Sequence, residues 1–360
     1  MSSNPVTLQF GIEMEFLLKP KPIMSQTLRD YGFKNEIPTR SQDTEDTKDQ
    51  NNNRTAIRAS LVKLLRAAEI PATLNPGDYQ QWTPVDERSL DERPGFWRCE
   101  IVSRILDTGT NWQDEIDQVF DTLTENCEIL LTPGCSMHVH VTPNTGKFNI
   151  DQIKRILKGV IYYDTPMTRI MPADRKKNIW AQSNVEVCRP WRDACLQVSQ
   201  KKWAPLFDDI EKHKMMQHIV HATLDRHVAW NFQNLTGACG TIEFRRPPGV
   251  KSSADVKHWA AVALGFVTNA MVIQDWNTVR STGTYPSSND LRSAITGGAQ
   301  RLGPSLQGAL GSMADVNDPP TVLSSQELAR IERKKKDKSK KKSIFAEKVS
   351  NSRPNTPVGA

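Results

Sequence analysis

Apolar and polar residues alternate along the first predicted strand, FGIEMEF at residues 10–16. Successive side chains of a strand point to opposite faces, so the aromatic and aliphatic residues share one face while Gly11, Glu13 and Glu15 share the other. We expect the apolar face to pack on a core. Glutamate is a poor strand former and like charges repel. This strand alone therefore leaves two interpretations: solvated glutamates on a half-buried strand, or ligands that line a groove.

The same alternation recurs in three later segments and favours the groove. These segments are FWRCEIVSRIL (96–106), GCSMHVHV (134–141) and GTIEFRRPPG (240–249). Each can supply one apolar face and one face of carboxylates, imidazoles or guanidiniums. A sheet built from such strands has a core on one side and, on the other, a groove lined by Glu13, Glu15, Glu100, His138, His140 and Glu243.

The spacing of apolar residues predicts where the other elements lie. Helices are predicted near residues 54–69, from Asn111 to about 130, and near 150–163, 192–220 and 252–273. Strands are predicted near residues 6–18, 71–75, 79–86, 97–106, 135–142, 227–235 and 239–246. Prolines punctuate residues 164–190, which are predicted to be irregular.

Composition divides the chain into three parts. Residues 1–280 form the motif-bearing domain, in which the polar segment 36–53 is predicted to be a mobile insertion loop. Residues 281–324 are rich in Ser, Gly and Pro and are predicted to be an irregular extension. Residues 325–360 are predicted to be a basic, disordered tail.

The positive charge of the chain is concentrated in that tail. Residues 330–342 hold nine Lys/Arg and two acids, whereas the whole chain has a formal net charge of +6, so the remainder is about −1. A run of cations of this kind is usually a solvated segment. Nuclear targeting, or binding of a nucleic acid or an acidic partner, is the alternative that the tail leaves open.

The overall composition indicates a soluble protein of the cytoplasm, or of the nucleus if the tail directs it there. Charged residues are 24% and hydrophobic residues 38% of the chain, and no secretory signal is visible. The apolar stretch from Val256 to Ile273 is interrupted by Lys257, His258 and Asn269, which predicts a buried helix rather than a membrane span. The six cysteines form no CxxC pair, which suits a reducing compartment.

The groove residues indicate a site for hard divalent cations. Crowded carboxylates raise the pKa values of one another unless cations neutralise them. Carboxylate oxygens with a histidine suit Mg²⁺ or Mn²⁺, and the lack of thiolates argues against structural zinc. Arg245, two residues after Glu243, is the kind of group that holds a phosphate between metal ions.

Four motifs in order, GIEMEF, EIVSRIL, CSMHVHV and TIEFRRPPG, resemble the putative amidoligase family across roughly residues 8–270. This family is grouped with carboxylate–amine ligases such as glutamate–cysteine ligase and glutamine synthetase. The resemblance implies an α+β fold: a curved antiparallel β-sheet with helices packed on its outer face, as in the catalytic fold of glutamine synthetase. It also implies ATP-dependent amide-bond formation with Mg²⁺ or Mn²⁺. ATP would phosphorylate a small-molecule or peptide carboxylate, and an amine would displace the phosphate.

The resemblance also assigns roles to individual residues. It implies that the metal ligands are Glu13, Glu15, Glu100, His138 and Glu243. By alternation His140 shares their face, as a further ligand, a residue that orients a ligand, or a base. It implies that Arg245 contacts the ATP phosphates and that Asp86, in VDERSL, has a substrate role. Near the substrate and ATP it places Arg175, Asn178 and Asn184, from PADRKKNIWAQSN. Arg104 stands where the family usually has proline, and the segments 36–53 and 325–360 have no counterpart in the family.

Two other classes of function fit the same residues. One is a catalytically silent scaffold whose working part is the basic tail, and the other is a metal-dependent hydrolase that uses the His138-x-His140 pair. Binding of a nucleotide separates the ligase from the hydrolase. The groove interpretation also predicts that removal of Glu243 costs little stability because it relieves repulsion, and that Arg246, on the opposite face or at the strand end, tolerates lysine.

Overall fold

The computed structural model describes residues 7–34, 44–223 and 225–320 and a few positions from 324 to 333, with the backbone alone for 44–50. The chain forms two compact units, Met1–Pro320 and Thr321–Ala360. All elements below belong to the first unit. The predicted basic segment 330–342 lies outside the described residues except at Arg333, and so do residues 36–43 of the predicted insertion loop.

One antiparallel sheet organises the first unit, and its longest strand lies at its centre. The strand order is β2-β3-β1-β6-β8-β7, and β4 and β5 also pair with β1. The strands are β1 Leu8–Pro20, β2 Thr83–Asp86, β3 Trp97–Val102, β4 Leu106–Asp107, β5 Cys127–Leu130, β6 Met137–Pro143, β7 Trp230–Asn231 and β8 Ile242–Phe244.

Alternation in the sequence sets the two faces of the sheet, as predicted. Phe10, Ile12 and Met14 of β1 are each at most 2% exposed. In register with them, Ile101 of β3 pairs with Met14 and Val139 of β6 pairs with Ile12. These side chains form part of the main hydrophobic cluster, so this face of the sheet is the core.

Helices supply the second layer. The described residues include fifteen α-helices: α1 Ser25–Asp30, α2 Thr44–Ala67, α3 Trp112–Asn126, α4 Ile150–Tyr162, α5 Asp164–Arg169, α6 Ala173–Lys176, α7 Asn184–Val187, α8 Arg189–Cys195, α9 Val198–Lys201, α10 Ala204–Glu211, α11 Met216–Ala222, α12 Ser253–Thr268, α13 Trp276–Arg280, α14 Ser288–Leu302 and α15 Pro304–Gly308. A π-helical turn, Asn269–Ile273, continues α12. The protein is therefore α+β with an open antiparallel sheet; its likeness to the glutamine synthetase fold stays a prediction.

Stacked aromatic rings join the sheet to α12. The ring centroid of Trp230 lies 4.4 Å from that of Phe244 on β8 and 4.8 Å from that of Phe266 on α12. Offset stacking of this kind adds to the burial of apolar area. The short strands β7 and β8, which carry polar groove residues, are therefore supported from behind by a rigid helix.

Several predicted boundaries were wrong, each for a local reason. The insertion loop was predicted at 36–53, but α2 already begins at Thr44, because Glu, Lys and Gln sustain a helix without an apolar face. The predicted strand 71–75 is reduced to a single bridge between Ala72 and Trp82. Residues 164–190 contain α5, α6 and α7, since helices this short follow from caps and tertiary contacts rather than from periodicity.

The predicted irregular extension 281–324 was also wrong in most of its length. Ser287 opens α14 with a capping box that includes Asp290. After α15 the chain remains attached to the domain, because the Val316 amide donates to the Arg169 carbonyl at 2.9 Å. Residues 281–320 thus belong to the first compact unit.

Helices α12 and α14 approach each other closely at two glycines. A Cβ atom at Gly298 would lie 1.8 Å from the Gly265 carbonyl oxygen, and one at Gly265 would lie 2.5 Å from the Ile295 carbonyl oxygen. The small residues that suggested a loop are therefore the surface on which two helices pack. Among the described helical segments, Ser253–Ile273 has the length and apolarity of a membrane span, but most of it is buried in the protein, as predicted for a core helix.

We expect Gly298→Ala to lower the free energy of unfolding and Gly297→Ala to raise it. Crowding a close-packed contact costs roughly 1–3 kcal/mol, whereas alanine gains up to about 1 kcal/mol over glycine in a helix. A Cβ atom at Gly297 meets no atom within 4 Å, so only the gain applies there. Urea unfolding of both variants measures the difference. Equal stabilisation by both substitutions would show that the helices do not pack this closely.

Candidate functional site

The polar face of the sheet brings carboxylates and imidazoles from three adjacent strands together. Glu13 of β1 pairs in register with His138 of β6, and His140 pairs with Glu243 of β8. Because all of these positions alternate with core residues, their side chains share the face opposite the core. On the other side of β1, Glu15 pairs with Glu100 of β3. The structure thus assembles the six groove residues that the sequence pattern singled out.

Glu13 is the centre of a tight cluster with both histidines. Its Oε2 accepts a hydrogen bond from His138 Nδ1 at 2.9 Å, and its Oε1 lies 3.2 Å from His140 Nε2. Glu243 Oε1 lies 3.5 Å from His138 Nδ1 and 3.8 Å from His140 Nε2. Two carboxylates therefore share two imidazoles.

Glu243 also has partners on its own strand and on β7. Asn231 donates its side-chain amide to Glu243 Oε2 at 2.7 Å, and Arg245 forms an ion pair with Glu243 Oε1. Arg245 Nε is buried and has no hydrogen-bond partner among the described residues. A buried guanidinium N–H without an acceptor at the edge of the cluster is a donor for an anion.

Ser136 links the two sides of the groove. Its amide and hydroxyl donate to Glu15 Oε2 at 3.0 and 2.6 Å, and its hydroxyl oxygen lies 3.0 Å from His138 Nε2. Glu15 is therefore held in one orientation, and it is only 7% exposed. In the sequence, nothing distinguishes Ser136 from the other polar positions of its segment.

Within the described part of the chain, three groups of ligand atoms are close enough to hold a cation. In each, the atoms lie within 4.8 Å of one another: Glu13–Glu100–His138, Glu13–His140–Glu243 and Glu15–Glu87–Glu100. The sets contain carboxylates and imidazoles and no thiolate, which suits Mg²⁺ or Mn²⁺. Glu87 was missed in the sequence because it follows the short strand β2, where no alternation marks its direction.

The neighbours of Glu13, Glu243 and His140 favour the charged form of each of these side chains. Burial would raise the pKa of Glu13, but His140 and His138 lower it well below its usual value. Burial likewise would raise the pKa of Glu243, and Arg245 and the two histidines lower it. Burial would lower the pKa of His140, but Glu13 and Glu243 raise it to about 9. The positive charge that balances these acids comes from the protein itself.

Three other predicted residues have partners that explain their positions without a ligand. Asp86 accepts a hydrogen bond from the indole of Trp97 at 2.7 Å. Asn184 exchanges two hydrogen bonds with the backbone of Trp230, at 2.8 and 2.9 Å. The side-chain oxygen of Asn178 accepts from the Trp180 amide at 2.9 Å. The structure therefore does not bring them into the carboxylate cluster, and their predicted substrate and ATP roles stay predictions.

Adjacent arginines at the end of β8 lie in different surroundings. Arg245 lies in the groove, whereas Arg246 is 1% exposed and donates to the Lys176 carbonyl at 3.2 Å. Burial lowers the pKa of Arg246, and Asp164 opposes that effect. The predicted difference in direction is confirmed. Because lysine cannot replace a buried planar guanidinium, we expect Arg246→Lys to lower stability, in contrast to the tolerance expected from the sequence. Arg175, the remaining predicted residue, is also buried, behind this strand end.

The groove on an open antiparallel sheet, with its carboxylates, imidazoles and one arginine, defines a class of site whose donor atoms suit divalent cations beside an anion. The sequence comparison agrees with that class: the model of the putative amidoligase enzyme family matches residues 6–267. The chain belongs to this family. No curated protein matches it.

Removal of Glu243 is expected to destabilise the metal-free protein, contrary to the expectation from repulsion alone. Glu243→Ala leaves Arg245 and Asn231 without their acceptor, and breaking such a buried pair costs on the order of 3 kcal/mol. Glu128→Ala is the control, because both members of the Lys19–Glu128 pair are more than half exposed, and a change within about 0.5 kcal/mol is expected. Urea unfolding in a chelator gives both values. Unchanged stability of Glu243→Ala would refute the buried network.

The stability of the metal-free protein is expected to fall between about pH 6.5 and pH 9. The pKa of His140 is raised to about 9 in the folded state, so its contribution is complete below its unfolded value of roughly 6.5 and is lost as the pH rises through 9. The loss is at most about 3 kcal/mol. Unfolding in chelator across this range should show less pH dependence for His140→Gln, and the wild-type dependence for a variant of the exposed His221. Identical profiles for wild type and His140→Gln would contradict the assignment.

Proposed function

We propose that the groove binds ATP with Mg²⁺ or Mn²⁺ and joins a carboxylic acid to an amine through an acyl phosphate. The observation that carries this proposal is the Glu13–His140–Glu243 cluster with Arg245 beside it. Membership of the putative amidoligase family supports ligase chemistry in general. The glutamine synthetase-like form of the sheet belongs to the same proposal.

The residues present fit divalent cations. Glu13, Glu15, Glu100 and Glu243 would offer oxygens, and His138 or His140 a nitrogen. These side chains would hold the ions, which when bound would supply positive charge that neutralises phosphate oxygens. The raised pKa of His140 shows that the cluster already attracts positive charge, and a ligating His140 would release its proton.

Side chains around the cluster would orient the reactants. Arg245, whose buried Nε has no acceptor among the described residues, would bond oxygens of the transferred phosphoryl group. Asn231 holds one oxygen of Glu243, and Ser136 holds one oxygen of Glu15, so both carboxylates are fixed before a ligand arrives. Preorganised groups of this kind lower the barrier because they need not reorient during the reaction.

The acid and the amine remain defined by class only: a small-molecule or peptide carboxylate, and an amine. Further proposals are the cytoplasmic or nuclear location and a nucleic-acid or acidic partner for the segment 330–342. Metal-dependent hydrolysis without nucleotide binding would point to the hydrolase, and binding of neither cation nor nucleotide to the silent scaffold.

We expect Arg245→Lys to weaken binding of Mg²⁺ and a non-hydrolysable ATP analogue by roughly 10-fold or more. A guanidinium can bond two phosphate oxygens, and a hydrogen bond to a charged group contributes roughly 1.5–3 kcal/mol. Isothermal titration calorimetry measures the affinity. The matched control is Arg246→Lys, which should lower the melting temperature while the folded protein keeps its affinity within about 3-fold, since Arg246 lies outside the groove.

Two outcomes would contradict this scheme in different ways. Failure of the wild-type protein to bind the analogue with Mg²⁺ or Mn²⁺ would overturn the proposed function. Greater weakening by Arg246→Lys than by Arg245→Lys would show that the arginine of the phosphate site is misassigned.

A further inference from the structure

Arg175 makes a contact that none of the other predicted site residues makes. Its guanidinium is 1% exposed and donates to two consecutive main-chain carbonyls, from Nε to Arg246 O at 3.0 Å and from Nη2 to Arg245 O at 2.7 Å. The fork of donors on a guanidinium is rigid and planar. One bond holds the peptide unit between Arg245 and Arg246 and the other holds the unit between Arg246 and Pro247, so together they fix the direction of the main chain at Arg246.

These two peptide units lie just beyond β8. The Arg245 amide donates to Ala229 O at 2.9 Å, whereas Pro247 and Pro248 follow and have no N–H to donate. The Met137 amide donates to Pro247 O at 3.4 Å and Ser136 bridges to Pro248, so the sheet still holds this segment, and contacts from outside the sheet add to it. Arg175, on helix α6, supplies two of them.

A carboxylate of the candidate cation site also affects the pKa of Arg175. Burial lowers its pKa to about 10, and among the groups that oppose this effect Glu15 is the strongest. Glu15 belongs to the Glu15–Glu87–Glu100 group. The charge of Arg175 is therefore partly offset by that of Glu15.

We propose that Arg175 is a positioning residue that sets the main chain of Arg245, so that binding of phosphate in the groove depends on it. This rests on the proposed function. Both hydrogen bonds of the Arg175 guanidinium go to the backbone, whereas the resemblance places this residue near the substrate.

The chain contains a matched control for this contact. Arg155 on α4 makes the same fork to two carbonyls, from Nε to Met271 O at 2.6 Å and from Nη2 to Gln274 O at 2.8 Å. Neither carbonyl belongs to a strand of the sheet. Arg155→Lys therefore removes an equivalent pair of backbone bonds without touching the strand end that carries Arg245.

The experiment compares Arg175→Lys, Arg155→Lys, Arg245→Lys and the double variant Arg175→Lys/Arg245→Lys. Calorimetry with Mg²⁺ and a non-hydrolysable ATP analogue gives nucleotide affinity, and electron paramagnetic resonance gives Mn²⁺ affinity. Both lysine variants, at 175 and at 155, should lose some thermal stability. Of these two, only Arg175→Lys should weaken nucleotide binding, on the order of 10-fold. Arg175→Gln, which keeps a donor but no charged fork, should weaken nucleotide binding at least as much, whereas Mn²⁺ affinity should not fall when a positive charge near the carboxylates is removed.

The double variant shows whether Arg175 acts through Arg245. If it does, the double variant binds the nucleotide about as weakly as the worse single variant, because the two effects are not additive. Additive losses, or equal affinities of Arg175→Lys and Arg155→Lys, would overturn the inference while leaving the proposed function intact. If neither Arg175 variant folds, the residue is a requirement of the fold and the inference is also wrong. If the wild type binds no nucleotide, the proposed function fails and this inference fails with it.

Discussion

Repulsion between carboxylates that face one groove is the constraint on which the rest of the site depends. Glu13 and Glu15 lie two residues apart on the central strand, with Glu100 on one neighbouring strand and Glu243 beyond the other. Buried acids of like charge cannot all ionise unless positive charge or hydrogen-bond donors compensate them. Hydrogen-bond donors and positive charges contact these carboxylates: two imidazoles, the Arg245 guanidinium, the Asn231 amide and Ser136. The lowered pKa values of Glu13 and Glu243 are the result.

A rigid support has to hold these groups in place, because the compensation works only at hydrogen-bond distance. The strand that carries both glutamates, β1, is paired along its length. It pairs with β6 and also with β3, β4 and β5. Its opposite face is packed against the core, and α12 is in turn held against α14 at Gly265 and Gly298. A segment far from the groove in sequence therefore contributes to its geometry. This explains why the small residues after 280 form a packed helix and not a linker.

Alternation predicted the faces of the sheet and all six groove residues, because period two in a half-buried strand is a direct imprint of one buried face. It could not reach positions outside strands. The resemblance gave Asp86 a substrate role and gave Glu87 none, yet the indole of Trp97 bonds Asp86, and it is Glu87, just after β2, that joins Glu15 and Glu100. Helix α14 was missed because Gly and Ser have low helix propensity, and close tertiary packing overrides that preference. Arg175 was selected by resemblance, but its contact with two backbone carbonyls has no sequence pattern.

The same constraint shapes how the site would bind a divalent ion. Without an ion, Glu243 is paired with Arg245, and Glu13 with His140, whose pKa is raised to about 9. On the proposed function, Glu13, His140 and Glu243 would hold an ion only if His140 gave up its proton and Glu243 gave up part of its pairing with Arg245. Arg245 would then be able to bond a phosphate oxygen. Cation and phosphate binding would therefore be coupled through Glu243, and that coupling needs Arg245 to move its side chain while its backbone stays fixed. Arg175 bonds the main-chain carbonyl of Arg245 and makes no bond to its side chain. It can therefore fix the backbone of Arg245 while the side chain of Arg245 moves.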